Sequence, residues 1–353
     1  MKDEPIMPNN LRIDEEKYKS ILKYIRLNVT EKYEFPQEIV RVDGVTIATL
    51  GNFSASTGKP KSKKTFNVSA IVASALSGKE VLKYKADLPA CKNRILYIDT
   101  EQSKCHCHKV LHRILSLAGL PTDQENDRIQ FFVLREYTPD QRRDIIKWAL
   151  QEEENIGLVI IDGIRDLIHD INSPSESLDI INELMRWSSY YELHIHTVLH
   201  LNKGDDNTRG HVGTELNNKA ETVLQISKNN ENGRISEVRA MHIRDKEFAP
   251  FAFEIGDDAL PHLVKDYQCK TSKRLSSYTE MDEQQHRSAL ELAFADCEEF
   301  GYQALLEALK KGYESIGYSR GRNTLVNLCK YLMEHKAIIK NDRTYTYNSS
   351  FHL

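Results

Sequence analysis

Apolar positions along this chain follow two periods. Near-continuous apolar runs at VTIATLG (45–51), RILYIDTE (94–101), IQFFVLRE (129–136), GLVIIDGI (157–164) and LHIHTVLHLN (193–202) predict buried strands. Between them, segments 65–78, 103–118, 139–154 and 176–191 repeat their apolar residues at helical spacing. Such alternation predicts a parallel α/β sheet. Three further runs, at 221–228, 235–243 and 251–255, have no helical pattern between them and predict antiparallel hairpins that extend the sheet. Ahead of all this, residues 15–33 place Tyr18, Ile21, Leu22, Ile25 and Leu27 on one helical stripe, closed by Phe35-Pro36. They predict an amphipathic arm or packing helix.

Beyond residue 264 the pattern changes. Lys265 to Glu283 is polar and reads as a linker, after which 283–297, 301–313 and 321–335 each show helical periodicity. Residues 336–348 predict two short strands around an Asn341-Asp342 turn, with Leu325, Leu328, Leu332, Ile338 and Ile339 as core. Three helices followed by a hairpin is the winged-helix order. The predicted organisation is therefore an N-terminal helical arm (1–38), an α/β domain (39–264), a linker (265–282) and a winged-helix-like α+β module (283–353).

The formal net charge of −4 gives the whole molecule no attraction for a polyanion, so a nucleic-acid surface must come from local clustering. The last module provides it: residues 301–353 carry eight basic side chains against four acidic ones, with Arg320 and Arg322 at the start of the third helix and Arg343 on the hairpin. No run approaches the roughly 20 apolar residues of a membrane span, and the N-terminus lacks the apolar segment of a secretory signal; a cytoplasmic protein without membrane contact is expected. Six scattered cysteines read as reduced thiols. Cys105-His106-Cys107-His108 lacks the spacing of structural zinc sites and begins a helical pattern, so helix surface is the favoured reading.

The strongest local chemistry lies at Gly58-Lys59-Pro60-Lys61-Ser62-Lys63-Lys64-Thr65-Phe66, placed by the pattern between strand 45–51 and an apolar helix. Backbone N–H groups of such a loop and the positive end of the next helix bind phosphate, a lysine neutralises charge, and a hydroxyl ligates Mg²⁺. Lys64 and Thr65 fit the last two roles. Lys63 departs from the usual pattern, standing where its second glycine falls. Asp162, ending the fourth apolar strand, is the candidate second-sphere Mg²⁺ carboxylate, and Gly163 beside it cannot act as a base. The water-activating base is assigned to Glu101, at the end of the second strand, in preference to Asp99.

This constellation resembles the RecA-like ATPase core of RepA/DnaB-type hexameric replicative helicases, and most of all the RepA-like ATPases of plasmids and mobile elements, which also carry GNFS and GKPKS-like segments. The resemblance spans roughly residues 40–260. It implies ATP and Mg²⁺ as ligands, a γ-phosphate sensor at the fifth strand's end (His200, with Asn202), and a channel loop whose Lys203, Arg209 and His211 touch DNA. It also implies that Arg244 and Lys246 reach a neighbouring subunit's γ-phosphate. An ATP-driven DNA motor or loader follows, working as a homo-oligomer, expected to be a hexameric ring, on single- or double-stranded DNA with an initiator or primase as a further partner. An ATP-switched DNA-binding regulator and a protein-directed KaiC-like ATPase remain alternatives at this stage.

Overall fold

The computed structural model describes residues 15–201, 210–229, 232–265, 267, 277–295 and 297–352, and the chain divides into two units, Met1–Tyr267 and Gln268–Leu353. Helix α1 (Glu15–Ile25) opens the first unit and is shorter than predicted. Past it, the Asn28 backbone N–H donates to Tyr33 Oη, while the Asn28 amide and the Tyr33 hydroxyl both donate to Glu31. These local side-chain bonds offer the backbone an alternative to another helical turn. Every residue from 16 to 38 is exposed.

Strands β1 (Glu38–Val42) and β2 (Val45–Thr49) pair around Asp43-Gly44, where both residues take positive φ, the combination favoured in a two-residue hairpin turn. Next come β3 (Phe53–Gly58), α2 (Lys64–Ser77) and β4 (Tyr84–Ala86), the last returning to β1 to complete a small antiparallel sheet of order β2-β1-β4. This corrects the sequence reading: the strand entering the phosphate loop is β3, FSASTG, and 45–49 belongs to the small sheet. The chain continues through β5 (Arg94–Asp99), α3 (Lys104–Ala118), β6 (Ile129–Val133), α4 (Pro139–Glu152), β7 (Ile156–Asp162), α5 (Pro174–Tyr190) and β8 (His194–His200). After these lie α6 (Gly210–Lys219), β9 (Thr222–Lys228), β10 (Ile235–Ile243), β11 (Phe251–Ile255) and β12 (Pro261–Leu263).

One nine-stranded sheet runs in the order β12-β11-β10-β9-β3-β8-β7-β5-β6, parallel from β6 through β9 and antiparallel beyond. Apolar side chains of α2 and α3 cover one face, and those of α4, α5 and α6 cover the other. Helix α6 stands where sequence predicts only a Gly-rich loop; it carries the chain back across the sheet, so β9 runs parallel to β3 on one side while opening the expected antiparallel hairpin with β10 on the other. Its glycines and asparagines conceal the helix in sequence, and its apolar contribution is small, with Val212 and Leu216 buried. Gly210 has φ +73, and a Cβ there would sit 2.5 Å from the Ile171 carbonyl oxygen. No described helix is long and apolar enough to cross a membrane, and the five described cysteines are free thiols.

Strand β3 is polar yet fully buried, a cost that must be met by hydrogen bonds. Two histidines of the adjacent β8 meet it. His194 Nδ1 lies 2.8 Å from the Thr49 carbonyl, so that nitrogen carries the proton and Nε2 accepts from the Ser54 hydroxyl at 2.7 Å. Ser54 Oγ in turn accepts from His196 Nδ1 at 2.8 Å, and His196 Nε2 accepts from Ser56 at 2.9 Å. The chain of donors has one direction and both rings are neutral. Burial holds both imidazoles below their ordinary value, His196 to about 3.

The second unit contains α7 (Glu283–Ala293), β13 (Glu299–Gly301), α8 (Tyr302–Ser315), α9 (Arg322–Glu334), β14 (Ile338–Asn341) and β15 (Thr344–Tyr347). Its three strands pair antiparallel in the order β13-β15-β14, adding β13 to the predicted hairpin. Leu290, Leu305, Leu309, Tyr313, Leu325, Leu328, Leu332 and Ile338 form the core. Ile339, expected there, is exposed, because consecutive strand residues point to opposite faces and Ile338 takes the inner one.

Acid should destabilise the first unit through His194 and His196. Both folded-state values lie below 6.5, so the unfolded chain binds protons first as pH falls, and stability is lost progressively from about pH 6.5 towards 3. Between pH 6.5 and 5, His196 alone should remove about 2 kcal/mol, read from urea midpoints. A flat midpoint over that window would contradict the neutral buried pair.

Candidate active site

The site forms at the C-terminal edge of the parallel strands, around residues 58–66. Gly58 is required by close approach: a Cβ would lie 2.2 Å from the Ile226 carbonyl oxygen and 2.5 Å from Ser62 Oγ. Lys61 and Lys63 both take left-handed φ, 65° and 69°. This explains why a glycine is usual at position 63. Lysine adopts the conformation at a cost of roughly 1–2 kcal/mol, and its Nζ donates to the Arg234 carbonyl. Lys64 and Thr65 then open α2, whose first turn holds no acidic residue to offset its positive end.

Lys64 Nζ donates to the carbonyls of Gly58 at 2.8 Å and Lys59 at 3.2 Å and lies 3.0 Å from His200 Nδ1. Burial pushes the ammonium down to about 8, opposed by the charges of Asp162 and Glu101. Thr65 Oγ1 donates to Asp162 Oδ2 at 3.2 Å, and the buried Tyr97 hydroxyl donates to the same oxygen at 3.0 Å. Burial, with Asp99 nearby, raises the Asp162 carboxyl to about 6.

Asp99 accepts from the backbone N–H groups of Glu101 and Gln102 and from the Gln102 amide, at 2.7–2.9 Å. Its oxygens are committed to shaping the turn that carries Glu101 past the strand end. Glu101 is free to meet water, its side chain 70% exposed, and His200 Nε2 lies 3.8 Å from its carboxylate. The His200 imidazole holds the Glu101 carboxyl below its usual value against partial burial.

These groups surround a cavity of about 440 Å³ lined by Lys61 to Phe66, Glu101, Asp162 and His200; Gly58, Lys59 and Pro60 do not line it. Sequence reasoning missed part of its wall. Tyr97 fixes Asp162 from below, and Gln102, Lys109 and Arg113 line the cavity. The Arg113 guanidinium sits 3.6 Å from the Phe66 ring centroid, and its buried Nε has no hydrogen-bond partner. The positions 106, 109 and 113 share a stripe of α3, a signal that charge and helical spacing could have given.

Other predicted residues lie elsewhere. Arg244 and Lys246 follow β10 in a bend, not on extended strand, and both are exposed; Arg244 donates to the Lys219 carbonyl at 3.2 Å. Because β10 runs antiparallel to β9 and β9 parallel to β3, this bend falls at the sheet edge opposite the phosphate loop. His211 is exposed in the first turn of α6, while Lys203, Arg209 and Asn202 lie outside the described residues. In the second unit, Arg320 stacks 4.6 Å from the Tyr318 ring centroid, Arg322 donates to Gln303 at 2.9 Å, and Arg343 is exposed at the β14–β15 turn.

The donor set fits a nucleoside triphosphate with Mg²⁺. Ser62 Oγ is buried without a partner, and Lys64 Nζ turns back onto its own loop's carbonyls, so both have hydrogen bonds to offer a phosphate. The Thr65–Asp162 oxygen pair suits a hard cation. A strand, phosphate loop and helix opened by Lys64-Thr65, with a carboxylate ending the buried strand next but one in the sheet, define a P-loop ATPase core. Residues 30–206, half of the chain, match the AAA_25 family, described as an AAA domain, and the chain belongs to that family. No curated protein matches it. Among solved structures, the crystal structure of the RadB recombinase is similar, with a TM-score of 0.43 and 16% identity, covering 61% of this chain and 92% of that one.

Relieving the left-handed lysine should leave binding intact. Lys63→Gly is expected to raise the melting temperature of the first unit by about 2–4 °C while retaining nucleotide, and Lys63→Val, with a branched Cβ at positive φ, to lower it. Calorimetry with and without nucleotide reads both; a destabilised Lys63→Gly would show that its side-chain bond outweighs the backbone cost.

Proposed function

We propose that this chain is an ATP-hydrolysing motor or loader of the RepA/DnaB type, acting on DNA as a ring of identical subunits in the replication or mobilisation of a plasmid or mobile element. The observation that carries this reading is the line Lys64–His200–Glu101 beside Thr65 and Asp162 at one sheet edge, with Arg244 and Lys246 at the opposite edge. Mg²⁺, when bound, supplies charge neutralisation between the phosphates. Lys64 and the loop N–H groups hold the phosphates, and Thr65 and Asp162 hold the cation with its water. Glu101 orients and deprotonates the attacking water. His200 accepts from Lys64 at Nδ1, which places its Nε2–H towards Glu101, so one ring joins the phosphate contact to the base.

Arg244 and Lys246 cannot complete their own subunit's site from the far edge, so their charge is assigned to a neighbour's γ-phosphate. The exposed apolar side chains of the arm, among them Leu22, Ile25 and Leu27, also favour assembly, since a surface of that kind calls for a covering partner. The basic residues clustered in 301–353, with Arg320 and Arg322 at the start of α9 and Arg343 on its hairpin, favour DNA as the polymer. The test is the ATPase rate with and without single-stranded DNA. Stimulation supports a DNA motor or loader; an unchanged rate supports a protein-directed ATPase.

Two substitutions probe the chemistry. Glu101→Gln should bind ATP normally and hydrolyse it at least about 100-fold more slowly, whereas Asp99→Asn should act mainly on stability; the reverse pattern would move the base to Asp99. Arg244→Ala should retain ATP and lose hydrolysis, by up to about 10³-fold. Mixed with Lys64→Ala chains it should regain activity, because an intact loop in one subunit then meets an intact cation from the next. No recovery in proven mixed oligomers would place Arg244 outside the reaction.

A further inference from the structure

Helix α3 begins KCHCHKVLHR, and the structure separates its alternating Cys and His residues. Cys107 is buried with its thiol directed at the Gln102 carbonyl, 3.7 Å away, and His106 bonds Ser103 Oγ and lines the nucleotide cavity. The remaining residues, Cys105, His108 and His112, are spaced three and four apart and share one face of the helix. Cys105 and His108 are exposed and His112 is half-buried. Among the described residues, no cluster of three His, Cys, Asp or Glu side chains is already gathered as a metal cage.

On that face the two imidazoles converge. Their ring centroids are 4.2 Å apart and their Nε2 atoms 3.2 Å apart, with no other hydrogen-bond partner for either ring among the described residues. Only one proton fits between the two nitrogens. When both protons sit on Nδ1, both Nε2 lone pairs become free to serve a metal ion, with His108 exposed and His112 half-buried. An ion 2.0–2.1 Å from each nitrogen would subtend an angle of about 100–106° across the 3.2 Å gap, near tetrahedral and wider than a square-planar angle.

We propose that His108 and His112 form a two-point binding site for a zinc-class divalent cation on the outer face of α3, separate from the Mg²⁺ position, with Cys105 one turn earlier as the third ligand. Imidazole donors select against Mg²⁺, which takes oxygen ligands. Ligation through Cys105 releases its thiol proton to solvent, and the ion ties successive turns of α3 together.

The test is a titration of the full-length, reduced, metal-stripped protein with Co²⁺, followed by visible absorption and by displacement with Zn²⁺. One equivalent is expected, displaced by Zn²⁺ and lost in both His108→Gln and His112→Gln, whose folding is checked by circular dichroism. Cys105→Ser should keep the ion and lose the thiolate-to-cobalt band in the near ultraviolet; a band that survives removes Cys105 from the ligand set. Absence of stoichiometric binding by the wild-type protein would mean that the rings are simply a hydrogen-bonded pair. Undiminished binding by the double variant would place the ion elsewhere, as at the His262–Asp258 contact. Either result overturns the proposal.

Discussion

The site depends on a strand whose composition argues against its position. β3 lies between β8 and β9 with every residue buried, although Ser54, Ser56 and Thr57 interrupt it. The directed chain Ser56–His196–Ser54–His194–Thr49 satisfies its serine hydroxyls and binds it to β8. That pairing fixes register, and register fixes chemistry: Gly58 lies opposite His200, which brings the phosphate loop and its Lys64 within 3.0 Å of the His200 ring. A slip of one residue would turn these side chains to the other face.

Charges at the sheet edge are balanced against one another. Burial makes Lys64 less basic and Asp162 less acidic than usual. A triphosphate favours the charged lysine and a cation favours the charged carboxylate. Glu101 behaves differently because it stands in water and is drawn down by His200. An exposed carboxylate thus stands beside a buried lysine and a buried carboxylate, two environments within one cavity.

The sequence made much of this plain where apolar runs end in a charge. Asp162 closes IGLVIID, and the alternation of apolar strands with helices predicted the mainly parallel sheet with antiparallel strands at its C-terminal edge, as folded. It concealed β3 because a buried Ser–His ladder resembles a polar loop, and α6 because two glycines and two asparagines hide a helix that buries little. Lys63 made the phosphate loop an imperfect match in sequence, and only the backbone reveals that it takes the glycine conformation. Tyr97 and Gln102 escaped notice because their roles come from strand order and the turn after β5, which long-range packing sets. The placement of Arg244 at the edge opposite its own loop likewise required the topology of β9 and β10.

If Arg244 acts on a neighbour's nucleotide, as proposed, one chain alone holds an incomplete catalytic set. The direct measurement is the ATP hydrolysis rate per chain across a dilution series, with the oligomeric state followed in parallel by light scattering. A rate per chain that rises steeply with concentration and tracks assembly is the expected result. A rate per chain that stays constant down to the fully dissociated monomer would contradict it.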